Sequence, residues 1–337
     1  MITFNVVFTP GTPARLLPFA VSLLQGTGVR VRLVANGCGP EDLRLLSHAA
    51  QTDEGISHHV LPNSHPVEHG LALNHLFAAF PDEPEFAFAD SDVIASGDFM
   101  EQLWPMVPGQ VAVFSAPPVW ATDEDVVVPA RWPLLSGRLR VLQDGTPVGG
   151  TYLAIYDRAA TDPVWRRSPR GFAVHHWRSV PRDLRRSLAA RGWRFRYLDT
   201  CRLVNLQLLL AGQQLGNRTI AELHHVGGFS GPSLWNPRSL LNSARRAERS
   251  MGERRFGRIA DHLVFRIYLT GKQRRDPRFS RLNQRRSAVR AYAPAVLDAM
   301  LAGEAPPPAP ESDSAEVDRR VAALVATIQA QYRSFEA

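Results

Sequence analysis

Lysine is almost absent from this chain. Lys272 is the only one among 39 basic residues, so arginine carries the net charge of +7 over 337 residues. Such a bias follows from a GC-rich genome, yet arginine still attracts phosphate. The excess suits anionic nucleotides, acidic lipid headgroups or nucleic acid, and charge alone does not choose among them. Cysteine is also scarce: Cys38 and Cys201 stand far apart and off metal-ligand spacing. That excludes a disulfide framework and a cysteine zinc site, and leaves two free thiols. Long apolar runs are missing too. Stretches such as Gly149 to Tyr156 and Leu203 to Ala211 fall well short of the roughly 20 residues needed to cross a bilayer. Met1 leads straight into Ile2-Thr3-Phe4-Asn5-Val6-Val7-Phe8 without a basic n-region or an apolar h-region, so a cytoplasmic location is expected. No internal repeat is present.

What remains is 45% hydrophobic, enough for one large domain or two modest ones. In the first hundred residues short apolar runs alternate with helical patterns, the signature of βαβ units and a mainly parallel sheet. Four strands are expected: Thr3 to Phe8, Arg30 to Ala35, Ser57 to Leu61 and Glu85 to Ala89. Helices are expected at about Pro13 to Leu24, Pro40 to Ala50 and Val67 to Phe80. Gly97 to Met106 reads as a further helix and Gln110 to Ser115 as a further strand. Residues 116–148, rich in Pro, Trp and charge, read as long loops over a site. Leu184 to Arg191 and Leu203 to Leu210 read as helices flanking a strand at Trp193 to Leu198.

From about residue 233 the chain becomes arginine-rich and helical, with pairs at Arg245-Arg246, Arg254-Arg255, Arg274-Arg275 and Arg285-Arg286. Residues 302–314, with Pro306-Pro307-Pro308 and Pro310, read as a stiff extended linker. In 315–337, Val317, Val321, Leu324, Val325, Ile328, Tyr332 and Phe335 share one helical face. That face suits either its own domain or a second copy of the chain.

Phe86-Ala87-Phe88-Ala89-Asp90-Ser91-Asp92 places two acids at the C-terminal end of a buried strand, where open parallel sheets build ligand sites. Two carboxylates one residue apart are costly to bury unpaired. A divalent cation such as Mn2+ or Mg2+ resolves the conflict and leaves positions open for phosphate oxygens.

With these motifs the sequence resembles the family 2 glycosyltransferases over about residues 1–232. Glu68-His69-Gly70-Leu71-Ala72-Leu73-Asn74 is similar to the family's Gly-and-Asn segment, Gly149-Gly150-Thr151-Tyr152 to its acceptor-side Gly-Gly segment, and His224-His225-Val226-Gly227-Gly228-Phe229-Ser230 to its late His-x-Gly segment. The resemblance implies an α/β, Rossmann-like mixed sheet of the glycosyltransferase A-type with a helical C-terminal extension. It implies a metal held by Asp90, Asp92 and His225, and a nucleotide-sugar donor, commonly a UDP-sugar, contacted by Thr9, Pro10, Gly11, Asn36, Asn74, Asp90 and Ser91. Asn36 stands where the family usually has an acid, and the resemblance then gives its amide the base-recognition role. For an inverting hexosyltransferase the acceptor base falls on Asp199, in Leu198-Asp199-Thr200-Cys201, although the family's preceding Glu is missing. The same Asp199 reads equally as the cap of the helix that follows.

The acceptor is not legible. His58-His59 and His175-His176 lack further ligands at metal spacing and read as surface or structural. Trp120, Trp132, Trp165 and Trp177 suit either core packing or stacking on a sugar, with Trp132 retained for the latter. Rival readings are a sugar nucleotidyltransferase, against which Thr9-Pro10-Gly11-Thr12-Pro13 is a poor phosphate loop, and a nucleic-acid-binding protein using the arginine pairs. The pairs form no recognition motif, so no nucleic-acid partner is expected; a peripheral contact with anionic lipid remains open.

Overall fold

The computed structural model of the chain describes residues 1–129, 134–135, 137–150, 152–228 and 277–336. Trp132, Thr151, Phe229, Ser230 and the arginine pairs at 245–246, 254–255 and 274–275 lie outside the described residues.

The elements follow in order: β1 (Ile2–Phe8), α1 (Pro13–Ser22), β2 (Val29–Ala35), α2 (Pro40–Thr52), β3 (Ile56–Val60), α3 (His69–Ala79), β4 (Glu85–Asp90), β5 (Val93–Ala95), α4 (Met100–Leu103) and β6 (Gln110–Ser115). Then come β7 (Leu134–Leu135), β8 (Leu153–Asp157), α5 (Arg158–Arg167), β9 (His175–His176), α6 (Arg182–Ala190), β10 (Tyr197–Leu198), α7 (Arg202–Leu210), β11 (Gln214–Asn217) and β12 (Leu223–His225). Two longer helices, α8 (Pro277–Leu301) and α9 (Ala315–Glu336), follow.

The main sheet has seven strands in the order β11-β6-β8-β4-β1-β2-β3. Only β8 runs antiparallel to its neighbours, between β4 and β6. This is a Rossmann-like mixed α/β sheet, as expected from the sequence. Period-two alternation divides each strand between two cores. Phe4, Val6, Phe8, Ala87 and Ala89 enter the core under α1 and α2. Phe86, Phe88, Ala112, Phe114 and Tyr156 enter the other, against α3, α5 and α7.

The first four strands and three helices fall where periodicity places them. Four departures have identifiable causes. The helix expected over Gly97 to Met106 is a single turn, Met100–Leu103: Asp98 accepts hydrogen bonds from Thr27 N and Met100 N, and Pro105 follows. The strand expected at Trp193 to Leu198 contracts to Tyr197–Leu198. Helix α5 escaped notice because Pro163 lies inside it; β5, β11 and β12 are too short to show a period.

The fourth departure concerns residues 116–148, which are not a loose cover. Val119, Trp120, Val126, Val128, Leu135, Leu139, Leu142 and Val148 are buried. The backbone groups they carry inward are paired locally, as in Val128 N to Val141 O, Leu142 N to Thr146 O and Val148 N to Arg140 O. Arg202, fully buried, adds hydrogen bonds to the carbonyls of Gly137, Leu139 and Val148.

At the C-terminal end, Val317, Val321, Leu324, Ile328 and Tyr332 of α9 are buried in the core that also holds α1. Helix α9 touches α1, β5 and β12, and α8 packs against α9. Among the described residues, no helix is long and apolar enough to cross a membrane.

Because Ile328 is fully buried in that core, Ile328→Ala is expected to lower global stability by about 2–4 kcal/mol. Urea unfolding followed by tryptophan fluorescence would show one transition at a lower midpoint. An unchanged midpoint would show that α9 contributes nothing to the sheet domain.

Candidate active site

Three short backbone pairings build the site. β4 ends at Asp90, beside the end of β1 through the Val7–Asp90 register. After Ser91 and Asp92 the chain enters β5, which pairs antiparallel with β12 in the register Val93 to His225. Val226 N then donates to Asp92 O at 3.1 Å, and Val119 N donates to His225 O at 2.9 Å. A histidine distant in sequence is thereby fixed beside the two acids.

The resulting cluster is compact. Ligand atoms of Asp90, Asp92 and His225 lie within 4.8 Å of one another. His225 Nε2 is 3.3 Å from Asp92 Oδ1 and 3.8 Å from Asp90 Oδ2. His225 and Asp92 are fully buried, whereas Asp90 keeps 18% side-chain exposure. His225 Nδ1 lies 3.1 Å from Ala116 O. A carbonyl only accepts, so Nδ1 carries the proton and the buried Nε2, which has no hydrogen-bond partner among the described residues, presents its lone pair to the carboxylates. Metal-ligating imidazoles are commonly held this way, with the other ring nitrogen donating to a carbonyl. Ala116 itself sits at φ 57°, a left-handed backbone costing about 1–2 kcal/mol outside glycine.

Electrostatics around Asp90 point the same way. Its carboxyl is pushed well above the usual carboxylate range by burial first, then by Asp92 and Asp199. His69 Nδ1 lies 3.7 Å from Asp90 Oδ1. Burial holds His69 down to about 4, against the pull of Asp92, so this imidazole stays neutral near pH 7 and adds no cation. Two buried acids and an imidazole lone pair fit a hard divalent ion such as Mn2+ or Mg2+. Ser91 is buried as well, its Oγ without a hydrogen bond among the described residues.

The other expected residues surround this cluster in different ways. Thr9, Pro10 and Gly11 form the turn after β1, on the same edge of the sheet. Thr9 N donates to Thr12 Oγ1, Thr12 Oγ1 donates to Thr9 O, and Gly11 N donates to Asp42 Oδ2, which ties the turn to α2. Asn36 is buried, and its amide is used within the chain. Its Oδ1 accepts from Val67 N and Asn63 Nδ2, and its Nδ2 donates to Val67 O. Asn36 thus fixes the approach to Glu68 and His69. Asn74 bridges α3 to the segment after α5: its Oδ1 accepts from Trp165 Nε1 and Phe172 N, and its Nδ2 donates to Arg170 O.

Asp199 follows β10 and belongs to the same electrostatic cluster, since it raises the protonation points of Asp90, Tyr152, Glu68 and Tyr197. Its carboxylate accepts from Gly137 N at 2.8 Å and Thr200 N at 3.0 Å. The N-cap of α7 is Cys201, at φ 65°, without a side-chain cap. The Asp199 side chain therefore does not cap that helix.

Several site residues were missed in the sequence. Glu68 and His69 lie in the Glu68–Asn74 segment, where the family resemblance singles out Asn74. Glu68 accepts from Val174 N and Arg170 Nη2; burial raises its carboxyl more than those bonds lower it. The Tyr152 ring is tilted against that of His225 with centroids 4.3 Å apart, and its backbone carbonyl accepts from Asp90 N at 2.6 Å. Trp120 and Trp165 are committed to the core through Val226 O and Asn74 Oδ1. Among the histidine pairs, His59 packs on His75 and Phe80.

No protein-family model and no curated protein matches this chain. Solved structures are similar to it at low identity. A mannosyltransferase from Pyrobaculum calidifontis in complex with GDP-Man and Mn2+ is 14% identical, with a TM-score of 0.46 over 99% of this chain and 82% of its own. An active-site mutant of LgtC is 11% identical, with a TM-score of 0.40 over 64% of this chain and 72% of its own. A putative glucose-1-phosphate thymidylyltransferase from Bacillus anthracis in complex with a sucrose is 13% identical, with a TM-score of 0.38 over 73% and 95%.

Two outcomes follow from the site's construction. A Cβ on Gly70, next to His69, would meet Phe172 O and Ala173 Cα at 2.5 Å, so Gly70→Ala is expected to push α3 off the 172–174 segment and lower the melting temperature. His175, fully buried, is held down to about 4, chiefly by desolvation and then by Arg170. The unfolded chain takes that proton near the ordinary 6.5, so between 6.5 and 4 the unfolded state binds more protons. Stability present above pH 6.5 is therefore lost as pH falls toward 4. His175→Leu is expected to flatten that slope in urea midpoints measured across the interval.

Proposed function

We propose that this protein is a metal-dependent glycosyltransferase that takes a sugar from a nucleoside-diphosphate donor, with UDP as the expected carrier, and passes it to an acceptor hydroxyl. The observation that carries the reading is the His225 Nε2 lone pair aimed at Asp90 and Asp92 at the C-terminal edge of a mixed A-type sheet. Asp90, Asp92 and His225 would hold the divalent ion, which when bound neutralises charge on the departing diphosphate.

The chain's own groups set the rest. The turn at Thr9, Pro10 and Gly11, with Asn36 behind it, borders the nucleoside side, and Asn74 fixes the floor between α3 and α5. Asp199 is assigned the acceptor base. Gly137 N and Thr200 N orient its carboxylate, and Arg202 holds Gly137 in place through its carbonyl. A base opposite the leaving group corresponds to inversion at the anomeric carbon.

Calorimetric titration with UDP and GDP, each with and without Mn2+, tests the reading. One nucleotide is expected to bind only with metal, and Asp92→Ala and His225→Ala to abolish that dependence. Nucleotide binding to neither form would sink it. With the preferred donor, Asp199→Asn is expected to keep nucleotide affinity and slow donor turnover by about 100-fold or more; undiminished turnover would remove Asp199 as base.

A further inference from the structure

The arginines of α8 whose side chains are described fall into two groups. Arg281 and Arg285 are satisfied by acids: Arg285 pairs with Asp125 at 3.1 Å and Asp313 at 2.9 Å, and Arg281 lies 3.7 Å from Asp313. Arg286 and Arg290, one turn apart on the same helix face, are not. Both are half-buried, the Nε of each is buried without a hydrogen bond, and neither enters an ion pair among the described residues. Two like charges at this spacing repel, and partial burial sharpens the repulsion, so an anion bound between them would stabilise the arrangement.

Their position identifies the anion. Gly228 lies three residues after His225, and a Cβ there would sit 3.5 Å from Arg286 Nη2 and 3.6 Å from Arg290 Cζ. Gly228, at φ 89°, lets the backbone beyond the metal cluster run directly beneath both guanidinium groups. The Arg286 guanidinium also stands 5.6 Å over the Trp120 ring, whose Nε1 donates to Val226 O. Asp92 is the acid that acts on Arg290, and Arg138 adds positive potential near Arg286. The pair therefore borders the candidate metal cluster rather than open solvent.

We propose that Arg286 and Arg290 bind the diphosphate of the nucleotide donor from the side opposite the Asp90–Asp92–His225 cluster, so that α8 completes the donor site. The inference rests on the glycosyltransferase reading for the identity of the nucleotide, but the arginine pair itself has a separate test. Planar guanidinium groups at i and i+4 match two adjacent phosphoryl groups, which accept bidentate hydrogen bonds. The pair thereby distinguishes a diphosphate from a monophosphate.

The experiment titrates the full-length chain with Mn2+ alone, then with UDP, GDP and the corresponding monophosphates in Mn2+, and compares Arg286→Ala/Arg290→Ala with Arg286→Lys/Arg290→Lys. Mn2+ affinity is expected to be unchanged in both variants. Diphosphate affinity is expected to fall by about 100-fold in the alanine variant, about tenfold per arginine, with partial recovery in the lysine variant and little change for monophosphates. Because the arginines repel each other, the melting temperature of the alanine variant is expected to hold. Undiminished diphosphate affinity would overturn the proposal. So would an equal loss for monophosphates, or undiminished diphosphate affinity accompanied by lost flotation with anionic vesicles, which would assign the pair to lipid headgroups. If the wild type binds neither UDP nor GDP, the glycosyltransferase reading fails, and inorganic pyrophosphate then tests the pair: retained wild-type binding that the alanine variant loses supports the anion site, and no binding overturns it.

Discussion

The cost of burying two carboxylates one residue apart governs this molecule. Asp90 and Asp92 stand where the sheet would otherwise close over with apolar side chains, and each makes the other's charge harder to sustain. His69 does not relieve that cost by ionising, because burial holds it down to about 4, and His225 is oriented by Ala116 O so that Nε2 faces the carboxylates. Together the two carboxylates and the imidazole could hold a divalent ion.

Much of the surrounding architecture serves to hold that geometry still. The antiparallel insertion of β8 supplies Tyr152 O to Asp90 N. The β5–β12 pairing supplies His225, and α9 covers both of those strands. Elsewhere, Arg202 gathers three carbonyls of the 137–148 segment, and Gly137 in turn meets Asp199. The Asp90–Asp92–His225 cluster and Asp199 are therefore set by separate buried networks, one around fully buried Asp92 and His225 and the other around fully buried Arg202.

The parts legible in the sequence were those that repeat. β1 to β4 alternate with helices long enough to show a period, and Asp90-Ser91-Asp92 follows a strand whose burial is plain from Phe86 to Ala89. The parts that were not legible depend on pairings of two or three residues. β12 is too short to announce that His225 will lie against Val93, and Pro163 masked α5. Asn36 and Asn74 were picked out for their chemistry, whereas their hydrogen bonds show what they brace. Arg285 and Arg286 look alike as a charge run; only their tertiary surroundings show that one is neutralised by Asp125 and the other is not.

The packing of α9 on α1 joins the two ends of the described chain, and Tyr332 donates to Arg15 O to secure it. On the ribosome, β1 to β4 emerge long before α8 and α9. The sheet can assemble early around Asp90 and Asp92, but α1 keeps an uncovered apolar face until α9 arrives. A chain without α9 would present both acids without the cover that α9 lays over β5 and β12.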